Sequence, residues 1–237
     1  MQYDTWNQLL HRYVDSQGRV NYTAWKEESV EILDQWLIEI RSTQLIELTT
    51  TEQRLALWLN LYNALVIAQV LAFYPIATIR PTIFGIPDWI SFFRFFSRPL
   101  YQLDGTRYSL NAIEHGTLRK EFTEPRIHFA LVCAAIGCPL LRAEAYEPER
   151  VYAQLEEDAQ RFITNSYKVR YDAQTQTLHC SQIFKWYKAD FLKVAPSLTA
   201  YIQRYLLTVT MPDVTRVRYL PYDWRLNQRN NQRHLLK

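Results

Sequence analysis

The chain of 237 residues is 48% hydrophobic, enough for one large domain with a substantial core. Its 16 Tyr, 11 Phe and 7 Trp against 5 Gly point to rings packed between helices, and they exclude a glycine-rich, phosphate-cradling nucleotide fold. The formal charge of +3 divides into +5 over residues 214–237 and −2 elsewhere, which excludes the placed basic stripe of a nucleic-acid reader.

Residues 3–14 and 23 to about 40 carry helical apolar spacing, separated by a turn signal at Asp15-Ser16-Gln17-Gly18. Thr49, three residues before Glu52, reads as the capping-box start of a long helix that runs to Tyr74 and stops at Pro75. Asn60, Asn63 and Gln69 inside that helix, and the lack of flanking Lys/Arg clusters, argue for a buried core helix and against a membrane span. Residues 75–99 lose periodicity, carry Pro81, Pro87 and Pro99, and read as a wrapping loop whose aromatic cluster, residues 89–97, plugs the core. Asp104-Gly105 marks a hairpin, and a short helix then carries Glu114 and His115. Residues 127–132 read as a buried strand that empties into a loop holding Cys133 and Cys138. An amphipathic helix over 147–164 and a second hairpin (167–171 with 177–180) follow. Helices over 182–191, capped by Ser181, and over 196–207 come next, and a strand from 217 ends at Pro221. This order predicts an α+β fold. It has a helical N-terminal lobe (residues 1–48), a core (49–227) with a long buried central helix and a small, mostly antiparallel sheet flanked by helices, and a basic tail (228–237).

Thiol, imidazole and carboxylate are the parts of an activated nucleophile, and Cys133, Cys138, His128, His115 and Glu114 supply them. Cys138, in a turn between Gly137 and Pro139, is expected to be the more exposed sulfur. Cys133 takes the strand-mouth position where enzymes often hold a nucleophile, or is a buried, inert thiol. On a strand His128 and Cys133 lie about 16 Å apart. Two pairings stay open: His128 with Cys138 once the loop folds back, or His115 with either thiol. Neighbours on a helix project about 100° apart, which leaves Glu114 to orient His128 rather than His115. Asn60 and Asn63 share a helix face, bracing a loop or touching substrate; Arg119 and Arg126 bind a substrate carboxylate or pair with surface acids; Asp223 is a further carboxylate. The cysteine spacing is poor for a zinc site and lacks a Cys-x-x-Cys redox pair, so no metal is expected. Three cysteines and no secretory segment at Met1 fit a reducing, cytoplasmic setting.

The string Leu57-Trp58-Leu59-Asn60-Leu61-Tyr62-Asn63-Ala64 is followed by Ser109-Leu110, Ile113-Glu114-His115-Gly116 and Pro125-Arg126-Ile127-His128-Phe129-Ala130-Leu131. Cys133, Cys138-Pro139, Ile183-Phe184-Lys185-Trp186-Tyr187, Asp190-Phe191 and Tyr222-Asp223-Trp224 complete an ordered set that resembles the domain of unknown function 547 family over about residues 50–227. The resemblance implies a papain-like or transglutaminase-like thiol site at Glu114, His115, His128, Cys133 and Cys138, with acyl transfer or peptide hydrolysis and no cofactor. The family's usual Asn-Cys-Gly is replaced by Val132-Cys133-Ala134. The expected function is a cysteine-dependent acyl-transfer hydrolase acting on a peptide or small amide or thiol substrate. In it Cys138 (or Cys133) attacks, His128 (or His115) accepts the proton, and Glu114 orients the ring. The competing expectation is a non-catalytic peptide- or protein-binding module that keeps the cleft.

Overall fold

A computed structural model describes residues 3–84, 86–212 and 215–229. Of three helices, α1 (Asp4–Tyr13), α2 (Tyr22–Glu28) and α3 (Val30–Arg41), the last two pack on α4 (Thr51–Phe73), and α1 packs on them and reaches α4 through Trp6. Trp6, Trp25 and Trp36 stack among themselves in that interface. The long helix begins one residue later than the sequence predicts. Thr50 is extended, its hydroxyl accepts from Gln53 N at 3.1 Å, and the Gln53 side chain returns to Thr50 N at 3.2 Å. Helix α4 is long and apolar enough to cross a membrane, yet sixteen of its 23 residues are buried by the chain's own elements.

Residues 75–99 are not one wrapping loop. After a minimal ladder, β1 (Thr82–Ile83) with β2 (Ile86–Pro87), the chain forms α5 (Trp89–Ser97), because the Asp88 carboxylate caps it by accepting from Ile90 N and Ser91 N, both at 3.1 Å. Nor do its rings plug the core: one side, with Phe92, Phe95 and Phe96, leans on it, while Trp89, Ile90 and Phe93 face outward. The Asp104-Gly105 hairpin pairs β3 (Tyr101–Leu103) with β4 (Thr106–Tyr108), both turn residues having positive φ. A π-helical turn, Ala112–Leu118, carries Glu114 and His115 into α6 (Arg119–Glu121).

The predicted strand at 127–132 is absent. Pro125–Phe129 is a 3-10 turn with proline at its start, and the chain then passes through the core as buried, irregular backbone. Asn63 stands in for a neighbouring strand, donating to Ala130 O at 3.0 Å and accepting from Val132 N at 3.0 Å. Helix α7 (Val151–Ile163) precedes a three-stranded sheet in which β5 (Val169–Asp172) is antiparallel and β7 (Arg216–Tyr219) parallel to the central β6 (Thr177–Cys180). Between β6 and β7 lie α8 (Ile183–Trp186), α9 (Lys188–Phe191) and α10 (Leu198–Gln203), so the helix predicted over 182–191 is broken at Tyr187.

The apolar interior has two bodies, one around α4 and one around the sheet, which meet where Ile127 belongs to the first and Phe129 to the second. His128 sits between them. Past β7 the chain crosses back as a strap: Leu226 N donates to Ala77 O at 2.8 Å, Asn227 N to Ala134 O at 2.9 Å, and Val20 N to Asn227 O at 3.0 Å. Gln228 pairs with Val20, so the expected solvated tail does not begin at 228; residues 230–237 lie outside the described residues.

Candidate functional site

The loop that carries both thiols is shaped by the strap. Ile136 N donates to Arg225 O (2.8 Å), Gly137 N to Asp223 O (2.7 Å) and Cys138 N to Ala135 O (3.1 Å), while Ala134 takes φ +64°, a conformation that favours glycine. A β-carbon at Gly137 would stand 2.7 Å from the Tyr222 ring, so glycine lets that ring close over the loop. The expected exposures are therefore reversed: Cys138 is 2% exposed beneath Tyr222, and Cys133 is the partly exposed residue.

Hydrogen bonds converge on Cys138 Sγ, from Cys133 N at 3.1 Å and from the Tyr222 hydroxyl at 3.1 Å, with that hydroxyl 3.5 Å from Cys133 Sγ. Burial opposes charge on Cys138, but the donors from Cys133, Tyr222 and the Ala135 and Cys133 backbone outweigh it and bring the thiol below its ordinary value. Hydrogen bonding to Cys138, together with burial, pushes the Cys133 thiol well up. Negative charge is thus favoured on Cys138 over Cys133. Lys168 Nζ, donating to Ile136 O (2.7 Å) and Cys138 O (2.9 Å), fixes the loop from behind.

His128 is 3% exposed, with its Nε2 2.9 Å from Asp190 Oδ2 and its ring stacked on Tyr187 at 3.8 Å. Burial lowers its pKa, against the pull of Asp190, so the imidazole is neutral near neutrality. Asp190 also accepts from Arg119 Nε (2.6 Å) and Lys193 Nζ (3.0 Å), and His128, Arg119 and Lys193 hold its carboxyl far below the usual range. The carboxylate that orients His128 is thus Asp190 and not Glu114. Glu114 accepts from the hydroxyls of Tyr187 (2.5 Å) and Tyr62 (3.2 Å). His115 is exposed, its Nδ1 3.1 Å from Arg119 Nη1.

No imidazole nitrogen hydrogen-bonds to a sulfur among the described residues. Cys133, Cys138, His128, His115 and Glu114 nevertheless border one cleft of about 640 Å³. The other candidates stand apart. Asn60 accepts from Trp6 Nε1 (3.2 Å) and brackets Tyr146 through N (2.9 Å) and O (2.8 Å), so both asparagines brace backbone. Arg126 is clamped by Glu124 and Glu156, Arg119 by Asp190, and Asp223 pairs with exposed Arg225.

Three aromatic residues that wall the cleft, Tyr222, Trp224 and Trp186, have no role in the sequence reading, and neither has Asp190 behind His128. Tyr222 and Trp224, 4.5 Å apart, meet Trp186 and the α5 ring Phe92, which stands edge-on to Trp224 at 5.1 Å, and Arg80 lies over Trp224 at 5.0 Å. Tyr222, Trp224, Trp186 and Asp190 all fall in the late motifs, which was the available signal. Among the described residues no group of three or more His, Cys, Asp or Glu side chains is placed to hold a metal. Residues 46–163 match the family model described as Protein of unknown function, DUF547. No curated protein and no solved structure shows significant similarity to the chain.

Proposed function

We propose, taking as premise that the chain belongs to the DUF547 family through residues 46–163, that the cleft carries out cysteine-dependent acyl transfer on a peptide or peptide-like amide. The observation that carries this reading is the convergence of two cysteines on the lining of an aromatic-walled cleft, where Cys133 N donates to Cys138 Sγ and the Tyr222 hydroxyl reaches both sulfurs. Cys133 attacks the substrate carbonyl and passes its proton to Cys138, the sulfur that shares the Tyr222 hydroxyl with it. That proton then goes to the leaving amine, and water or a second amine resolves the thioester on Cys133. His128, kept neutral by burial and oriented by Asp190, stacks on the tyrosine that bonds Glu114, and so acts as a positioning residue.

A second reading, a binding module, is favoured by the commitment of His128 to Asp190 instead of a sulfur. Nitrophenyl acetate separates the two. Acyl transfer requires stoichiometric acetylation of Cys133 by mass spectrometry, abolished by Cys133→Ala and slowed about a hundredfold by Cys138→Ala. Acetylation of Cys133 no faster than that of an unperturbed thiol would leave the binding module.

A further inference from the structure

Sequence spacing argues against redox work, since Cys133 and Cys138 are five apart. The fold removes that objection. The left-handed turn at Ala134 and the Cys138 N to Ala135 O bond curl the loop until Cys138 Sγ lies 3.1 Å from Cys133 N, and both sulfurs meet the Tyr222 hydroxyl, at 3.1 and 3.5 Å. We infer that Cys133 and Cys138 form a redox-active dithiol whose substrate is a hydroperoxide, with Cys138 as the oxidised sulfur and Cys133 as the resolving one.

The roles follow from the surroundings. Thiolate attack on a peroxide needs a sulfur whose charge is supported, and Cys138 is the one that accepts from the Cys133 backbone and from Tyr222. Its sulfur attacks one peroxide oxygen, the O–O bond breaks, Cys138 becomes a sulfenic acid, and the other oxygen leaves as water or an alcohol after taking a proton. Cys133 then attacks Cys138 Sγ, loses its proton, and expels hydroxide, which leaves as water. Two thiols and one hydroperoxide yield one disulfide with either two waters or one water and one alcohol. Cys180 supplies an internal contrast. It is fully buried on β6, burial pushes its thiol up to about 12, and it has no hydrogen-bond donor or thiol partner among the described residues.

This inference does not rest on acyl transfer, and its readout is separate from the acetylation experiment, so either can fail alone. The full chain, fully reduced, is treated with hydrogen peroxide, alkylated and mapped by mass spectrometry. The expected product has lost two hydrogens, links peptides holding positions 133 and 138, and keeps Cys180 alkylatable. Cys133→Ser is expected to leave Cys138 with one added oxygen that dimedone captures, and Cys138→Ser to give neither product. Oxidation of Cys133 or Cys138 without the link, or modification of all three cysteines at one common rate, would overturn the assignment. The mapping of the unsubstituted chain stands even where a variant fails to fold.

Discussion

At the scale of single residues, the surroundings of the thiol loop and of His128 come from distant parts of the chain. Cys133, Cys138, His128 and Glu114 stood out because their chemistry is rare in an apolar stretch. Their partners Tyr222 and Asp190 lie 84 and 62 positions away and carry no local mark of the pairing. Removing the hydroxyl by Tyr222→Phe keeps the ring over Gly137 and deletes one donor to Cys138. The thiol pKa is expected to rise, and alkylation by iodoacetamide near neutral pH to slow by about two- to fivefold. Rates measured across pH, by peptide mapping of Cys138, check both. His128 and Asp190 give stability a common pH dependence. The folded imidazole has a lowered pKa, so below about 6.5 the unfolded chain binds the proton first and stability falls. The depressed Asp190 carboxyl adds stability that is present above about 3.9 and is lost as pH drops further. Urea midpoints should therefore decline from pH 7 downward in two stages. Asp190→Asn should weaken the second and lower stability at neutral pH by about 1.5–3 kcal/mol.

At the scale of elements, legibility followed length and local capping. Helix α4 was readable because 23 residues of mostly apolar chain ending near a proline have few other solutions. Residues 127–132 were not, because a short apolar run has the same composition whether it pairs as a strand or threads a core. Only the Asn63 amide, 69 positions from Val132, decides the outcome. Asn63→Leu retains bulk but leaves Ala130 C=O and Val132 N–H unpaired; it should cost about 2–4 kcal/mol in denaturant titrations, against less than about 1 for an exposed substitution on α3. The aromatic run at 89–97 was misread for want of weight on Asp88, whose cap turns it into α5. Ala134 offers a test with the opposite sign. Ala134→Gly relieves a left-handed alanine, and should leave stability unchanged or raise it by up to about 1 kcal/mol.

At the scale of the whole molecule, the family match begins at residue 46, yet the residues before it share the core of those after it. Trp6 reaches Asn60, and Tyr22 reaches Asn227, so the N-terminal helices cover α4 and anchor the strap together. Deleting residues 1–48 should strip one flank of the most apolar helix, and the shortened chain should lose its cooperative thermal transition. A sharp calorimetric transition in that chain would instead make the segment an accessory.

The strap also sets an order of events. Tyr22 and Asn227 are 205 positions apart, and a ribosome delivers the two sulfurs long before it delivers Tyr222. A nascent chain therefore passes through a stage in which both thiols have emerged without the phenol that covers one of them. Thiol and covering phenol become a single unit only when distant stretches of the polypeptide have been laced together, which ties the closing of the thiol loop to the completion of folding.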